Sequence, residues 1–311
     1  MHPLAGTLVV DLTRYLPGPF ASRELLRYGA RVVRLESPDG DPVRDIAPQW
    51  DAALNAGKES VVCDLKQDPA FGRALCARAD VVLEGFRPGV AERLGIGPSA
   101  LPESVVYCSL TGFGAEGPHA SRAGHDLNYM GYAGVLADTA PGLPPVQIAD
   151  LGAGALAAVA EILAALIERG RTGRGRHLVV SMTHGAHRFA AHRLGGEPSP
   201  RLLTGGLARY RIYETADGRF LTVAALEPKF FRRFCELLEL PEVDDAEALA
   251  ARIRSQTLAD WLELFDQEDV AVGPVATLEE AAREFAYEPP SGGAPSLGEH
   301  TRAWRAELDL L

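Results

Sequence analysis

The chain has 311 residues, 47% of them hydrophobic, and a formal net charge of −11. That length and apolar share can bury a large core, as one big domain or two. The acidic balance, with no basic run, excludes nucleic acid as the main partner. Cys63, Cys76, Cys108 and Cys235 are scattered without a C-x-x-C pair, which reads as reduced thiols in a cytoplasmic protein. Met1-His2-Pro3 has no signal-peptide pattern, and Asp309-Leu310-Leu311 is no peroxisomal address. Leu151–Leu166 is the longest apolar run, but it lacks the length and flanks of a membrane span, so no membrane partner is expected.

In chain order, Thr7–Leu12 reads as a strand, Pro17–Gly29 as a turn and helix, and Arg31–Glu36 as the next strand. The rhythm repeats through strand Ser60–Asp64, helix Gln67–Arg78, strand Asp80–Glu84, a helix near Val90–Leu94 and strand Ser104–Leu110. Alternation of this kind implies an α/β, Rossmann-like domain whose parallel sheet is covered on both faces. Val146–Ala149 reads as a short strand. The all-apolar Leu151–Arg169 reads as a buried helix leading to strand His177–Met182.

Character changes after Met182. Thr183–Gly206 looks like a linker with a short helix. Tyr210–Thr215 and Phe220–Ala225 flank Asp217-Gly218 as a hairpin. Helices near Pro228–Leu240, Ala246–Arg254 and Thr257–Asp266 complete a smaller α+β unit. Val270–Val275 and Thr277–Phe285 begin the return, Tyr287–His300 is a Pro/Gly loop, and Thr301–Leu311 is a last helix. The expected organisation is a large domain over 1–183, a linker over 184–206, a small domain over 207–275 and a return segment over 276–311.

Two groups in Gly124–Gly173 can move protons, His125 and Asp150. Asp150 stands where a carboxylate would cap the following helix, and a structural cap is the plain alternative to a catalytic role. His125, between Gly124 and Asp126, falls at a loop or helix start. Glu227 precedes Pro228 and reads as another N-cap. Gly112–Gly117 satisfies G-x-G-x-x-G after a strand, but no acidic residue completes a dinucleotide fingerprint. His184, His187 and His192 lack further ligands at metal spacing and read as a polar helix face, so no metal is expected.

Over nearly its whole length the sequence resembles the α-methylacyl-CoA racemases of the family III CoA-transferase superfamily. The resemblance rests on Val9–Arg14, Pro17–Phe20, Gly29–Glu36, Asp80–Gly89, Leu110–Gly114, Tyr213–Phe230 and, most specifically, the Gly-His-Asp-Leu-Asn-Tyr run at Gly124–Tyr129. It implies that His125 and Asp150 carry the proton between the two faces of a carbon α to a thioester, through an enolate. A His and a carboxylate suit that task because both can titrate near working pH. It further implies that Glu227 supports His125, and that the backbone N–H of Asp150 faces the thioester oxygen.

For CoA itself, the resemblance points to Arg34 and Arg87 near the adenine and phosphates. It assigns the strand Ser60, Val61, Val62 and Cys63 to the adenine edge, and Gly124, Asp126, Leu127, Asn128 and Tyr129 to the substrate. A solvated surface role is the alternative for each arginine. Acyl-CoA is the substrate and no cofactor is implied. The implied assembly is an interlocked homodimer.

Three stretches depart from the racemase pattern: Asn55–Glu59, the linker around Gly185–Gly206 with Gly205–Tyr210, and the tail Tyr287–Leu297. They bear on a phosphate contact, the acyl pocket and the dimer crossing, so the acyl chain stays open. Two rival readings also stay open. One is a CoA-transferase using Asp150 as nucleophile, against which His125 stands as the discriminating residue. The other is a non-catalytic CoA-binding homologue.

Overall fold

The computed structural model describes residues 2–196, 201–285 and 293–310. The chain divides into two compact units, one of Met1–His192 with Pro289–Leu311, the other of Arg193–Glu288.

In the first unit, strands β1 (Leu8–Asp11), β2 (Arg31–Glu36), β3 (Glu59–Val62), β4 (Val81–Glu84), β5 (Val106–Thr111) and β6 (His177–Ser181) form a parallel sheet. Its order is β3-β2-β1-β4-β5-β6. Successive valines feed opposite faces, as a strand's two-residue period requires. Val9 joins Leu25 and Ile162 on one side, and Val10 joins Phe71, Leu75 and Trp304 on the other. Helix α1 (Pro17–Arg27) starts with Pro at its first position, where the missing N–H is harmless. The chain then turns at Gly29, whose φ of 99° suits glycine.

Two short helices, α2 (Val43–Ile46) and α3 (Pro48–Asn55), lie between β2 and β3, where no element is expected from the sequence. Helices α4 (Pro69–Arg78), α5 (Val90–Arg93) and α6 (Asp126–Tyr132) follow. The expected strand Val146–Ala149 does not form. Instead Ile148–Leu156 winds as wide π-helical turns that run directly into α7 (Ala157–Thr172). The whole of Ile148–Thr172 is long and apolar enough to cross a membrane, yet it packs on α1, β5 and β6.

Small residues permit the wide turns. A Cβ on Gly154 would lie 2.8 Å from Met182 Cγ, and one on Gly185 would lie 2.7 Å from the Ala153 carbonyl. Both glycines thus let the π-helical turns press against α8 (Met182–Ala190), with which they are in contact. Helix α8 and a 3₁₀ stretch, Ala191–Gly195, occupy much of the expected linker. Part of the rest lies outside the described residues.

The second unit holds an antiparallel sheet, β7 (Tyr210–Glu214), β8 (Phe220–Ala224) and β9 (Val272–Pro274). Helices α9 (Pro228–Leu238), α10 (Ala246–Ile253) and α11 (Leu258–Phe265) bury Phe231, Phe234, Trp261 and Phe265 in its core. Helix α12 (Leu278–Glu284) also groups with this unit rather than with the return segment expected from 276. Residues 287–292 of the expected Tyr287–His300 loop lie outside the described residues. The last helix, α13 (Thr301–Glu307), buries Trp304 against the first unit.

Candidate active site

Strand order reverses between β1 and β4, because the chain builds outward from them in opposite directions. Parallel sheets open a crevice beyond the strand C-termini at such a switch point. Two adjoining cavities lie there, of about 750 and 600 Å³, and both are lined by Leu12, Thr13 and Arg14 after β1 and by Phe86 and Val90 after β4. The larger also takes in Gly124, His125, Asn128, Tyr129 and Asp150. The two candidate proton carriers therefore share one cavity within the first unit.

His125 is the N-cap of α6, in extended backbone, and its N–H donates to Asn128 Oδ1 at 3.1 Å. The ring is left exposed toward the cavity, with Tyr15 edge-to-face at 6.1 Å between centroids. Asp150 is not an N-cap; Gln147 is, and Asp150 lies in the first π-helical turn. Its side chain is buried, and Oδ1 has no hydrogen-bond partner among the described residues. Burial first, and the nearby Asp126 carboxylate second, raise its pKa to about 7. A buried carboxyl with a free oxygen and a pKa raised toward neutrality can both take and give a proton.

Asp126, expected to touch substrate, is buried and instead accepts the Asp150 N–H on Oδ1 at 2.9 Å. That bond corrects the expectation that this N–H faces a thioester oxygen. Leu151 N–H is also taken, by the Gln147 carbonyl at 2.9 Å. Leu127 is 46% exposed and does not line the cavity. Tyr129 is held by its hydroxyl donating to the Gly124 carbonyl, and two glycines make room for its ring. A Cβ on Gly112 or on Gly124 would fall 2.5 or 2.8 Å from Tyr129 Cε1.

The expected CoA contacts divide. Arg87 is exposed on the larger cavity and free to meet a phosphate. Arg34 is buried among Glu36, Asp41 and Asp51, with Asp51 Oδ1 nearest at 3.1 Å. Three carboxylates hold it inside, so it is a structural cation rather than a phosphate ligand. The edge of β3 is likewise taken. Ser60 N–H donates to His300 Nδ1, Val62 N–H to Thr301 Oγ1 and His300 N–H to the Ser60 carbonyl. The chain's own C-terminal segment thus fills the edge of Ser60–Val62 expected to read adenine. Val61 faces the core, and Cys63 reaches the smaller cavity with its thiol pushed up to about 11 by burial. Lys58, in one of the departing stretches, is fully buried on Pro19 O, Ser22 Oγ and Asn55 Oδ1. Burial lowers its pKa to about 7.

Sequence reasoning missed Arg14, Tyr15 and Lys66 as cavity-lining residues. Arg14 and Lys66 add cations to the smaller cavity, and Arg14 also reaches Ser37 Oγ at 3.0 Å. Arg14 stood inside a quoted motif, but nothing in its spacing said that β1 ends at the sheet's switch point.

In the second unit, Glu227 is the N-cap of α9 by position, with Pro228 next. Its side chain makes no cap bond and the residue is exposed. The carboxylate is therefore not spent on its own helix.

A parallel α/β unit opened at its switch point, with an unpaired buried carboxyl and a histidine on one cavity, defines an enzyme. The chain matches the model of CoA-transferase family III over residues 4–291 and belongs to that family. It is 37% identical over 308 residues to human α-methylacyl-CoA racemase, covering 89% of this chain and 78% of the relative. It is 31% identical over 327 residues to mouse succinyl-CoA:glutarate CoA-transferase, covering 91% and 74%. A Mycobacterium tuberculosis structure, Rv3272, superposes with a TM-score of 0.85 at 26% identity, covering 98% of this chain and 99% of that one.

Proposed function

We propose that this enzyme is an acyl-CoA racemase that inverts the α-carbon of a 2-methylacyl-CoA thioester. One carrier removes the α-proton, an enolate forms, and the other carrier returns a proton to the opposite face. The observation that carries this reading is Asp150: buried, one oxygen unpaired, its pKa raised to about 7, on the cavity that His125 also lines. Racemase-named relatives at 37% and 36% identity support it. With the Asp150 N–H taken by Asp126, enolate stabilisation falls to other donors and to cations such as Arg87.

The reading includes an interlocked homodimer in which Glu227 orients His125, as the resemblance implies. It also includes a cytoplasmic location, supported by four buried free thiols.

A second reading has a specific observation behind it. An unpaired carboxylate oxygen on the cavity is also what an acyl-transfer nucleophile needs, and transferase-named relatives reach 31–32% identity. The test follows deuterium uptake from solvent at the α-carbon of single enantiomers of 2-methylacyl-CoA. Exchange with inversion is expected. His125→Ala and Asp150→Asn should each lower racemisation about a hundredfold or more, and each should spare exchange from a different enantiomer. No uptake, together with CoA transfer between carboxylates and a covalent Asp150–CoA adduct by mass spectrometry, would establish the transferase.

A further inference from the structure

Between β1 and α1 the chain makes an unusual turn. Tyr15 has φ of 65°, a left-handed conformation that a bulky aromatic adopts only when its surroundings impose it. Two buried carboxylates impose it here. Asp11 accepts the N–H and the hydroxyl of Thr13, and Asp41 Oδ2 accepts the Tyr15 N–H at 3.0 Å. Asp41 is itself fixed, with Oδ1 accepting the Val43 N–H at 3.1 Å and the Arg34 guanidinium 3.7 Å away. A Cβ on Gly18 would collide with the Thr13 side chain, so the start of α1 also closes on this turn. The strain is not repaid by burying the ring, which is 47% exposed. The ring instead lines the larger cavity and meets His125 edge-to-face, at 89° between planes.

We propose that Tyr15 is a positioning residue: the strained turn presents its ring to the imidazole and sets the angle from which His125 approaches the α-carbon. His125 needs such help. Its backbone is tied to Asn128, but its ring stands exposed on the cavity. An aromatic edge contact restricts the ring without consuming either nitrogen. The inference rests on the proton-transfer reading above, and it predicts an asymmetry. In a two-carrier racemase His125 serves one face of the carbon and Asp150 the other. Loss of the tyrosine ring should therefore slow proton exchange from one enantiomer only.

The experiment measures kcat and KM for deuterium uptake from each enantiomer separately, in wild type, His125→Ala, Tyr15→Phe, Tyr15→Gly and Tyr15→Asn. Glycine accepts positive φ freely and asparagine tolerates it, so both ring-free variants should fold, with melting temperatures no lower than wild type. Each should lower kcat by about tenfold or more for the enantiomer that His125→Ala also impairs, with KM and the other enantiomer within about threefold. Tyr15→Phe keeps the ring and should restore the rate to within about threefold.

Equal losses with both enantiomers, a change confined to KM, or full rates without the ring would overturn the inference. If wild type and His125→Ala behave as proposed while Tyr15→Gly does not, the positioning role alone falls. If wild type takes up no deuterium, the proton-transfer reading falls first and takes this inference with it.

Discussion

Asp150→Asn offers a measurement of the buried cavity carboxyl that needs no substrate. The wild-type group is raised from 3.8 to about 7 in the folded protein, burial being the larger cause and Asp126 the smaller. That is roughly a thousandfold in proton affinity, or ~4 kcal/mol. The sign follows from proton binding. Between about pH 4 and 7 the folded state holds a proton that the unfolded chain has released, so stability falls as pH rises through that window and levels off above it. Asparagine resembles the protonated form and does not titrate. The variant's advantage over wild type should therefore grow with pH, by ~2–3 kcal/mol between pH 5 and 8.5.

The comparison must be a difference because Lys58 titrates too. Burial lowers it to about 7, so its contribution to stability rises with pH from about 7 toward the ordinary lysine value, opposite in sign to Asp150. It cancels between two proteins that both contain it. Urea unfolding at pH 5 and 8.5, with equal protein concentrations, gives the four stabilities. A variant-minus-wild-type difference that stays constant with pH would show that Asp150 is solvated or paired in solution, and the argument for it as a proton carrier would lose its basis.

Two further outcomes are expected. Arg87→Ala should raise KM for acyl-CoA about tenfold or more at nearly constant kcat, because one charge-assisted phosphate bond is worth ~1.5–3 kcal/mol. Arg34→Ala should instead destabilise the fold by ~3–5 kcal/mol, leaving buried carboxylates unpaired; urea unfolding and steady-state kinetics of both variants would expose a reversal. Co-expressed His125→Ala and Glu227→Ala subunits, each inactive alone, should recover activity as a mixed dimer if Glu227 serves the partner's histidine; an active monomer by light scattering would refute the interlocked assembly.

The strands were legible because parallel, doubly covered strands are near-continuous apolar runs, and Val9-Val10, Val32-Val33 and Val81-Val82 announce them. Helices with a proline start or a glycine stop, such as α1 and α9, were legible for the same local reason. What failed was long-range. Val146–Ala149 has a strand's composition, but its C-terminal half is drawn into π-helical turns that form where Gly154 meets Met182 and Gly185 meets Ala153, approaches between residues about 30 positions apart that no window sees.

Arg34 and the β3 edge failed in the same way. The arginine's fate depends on Asp41 and Asp51 coming together, and the edge's fate on a segment some 240 residues later. The same lesson applies to the site. The sequence identified His125 and Asp150 as residues able to move protons. Asp126 beside Asp150 is what binds the latter's N–H and helps raise its pKa, and a residue adjacent to the histidine thereby tunes the aspartate. The two candidate proton carriers thus meet at α6: its N-cap presents the imidazole, and the carboxylate of its first residue accepts the Asp150 N–H and helps raise the pKa of that carboxyl.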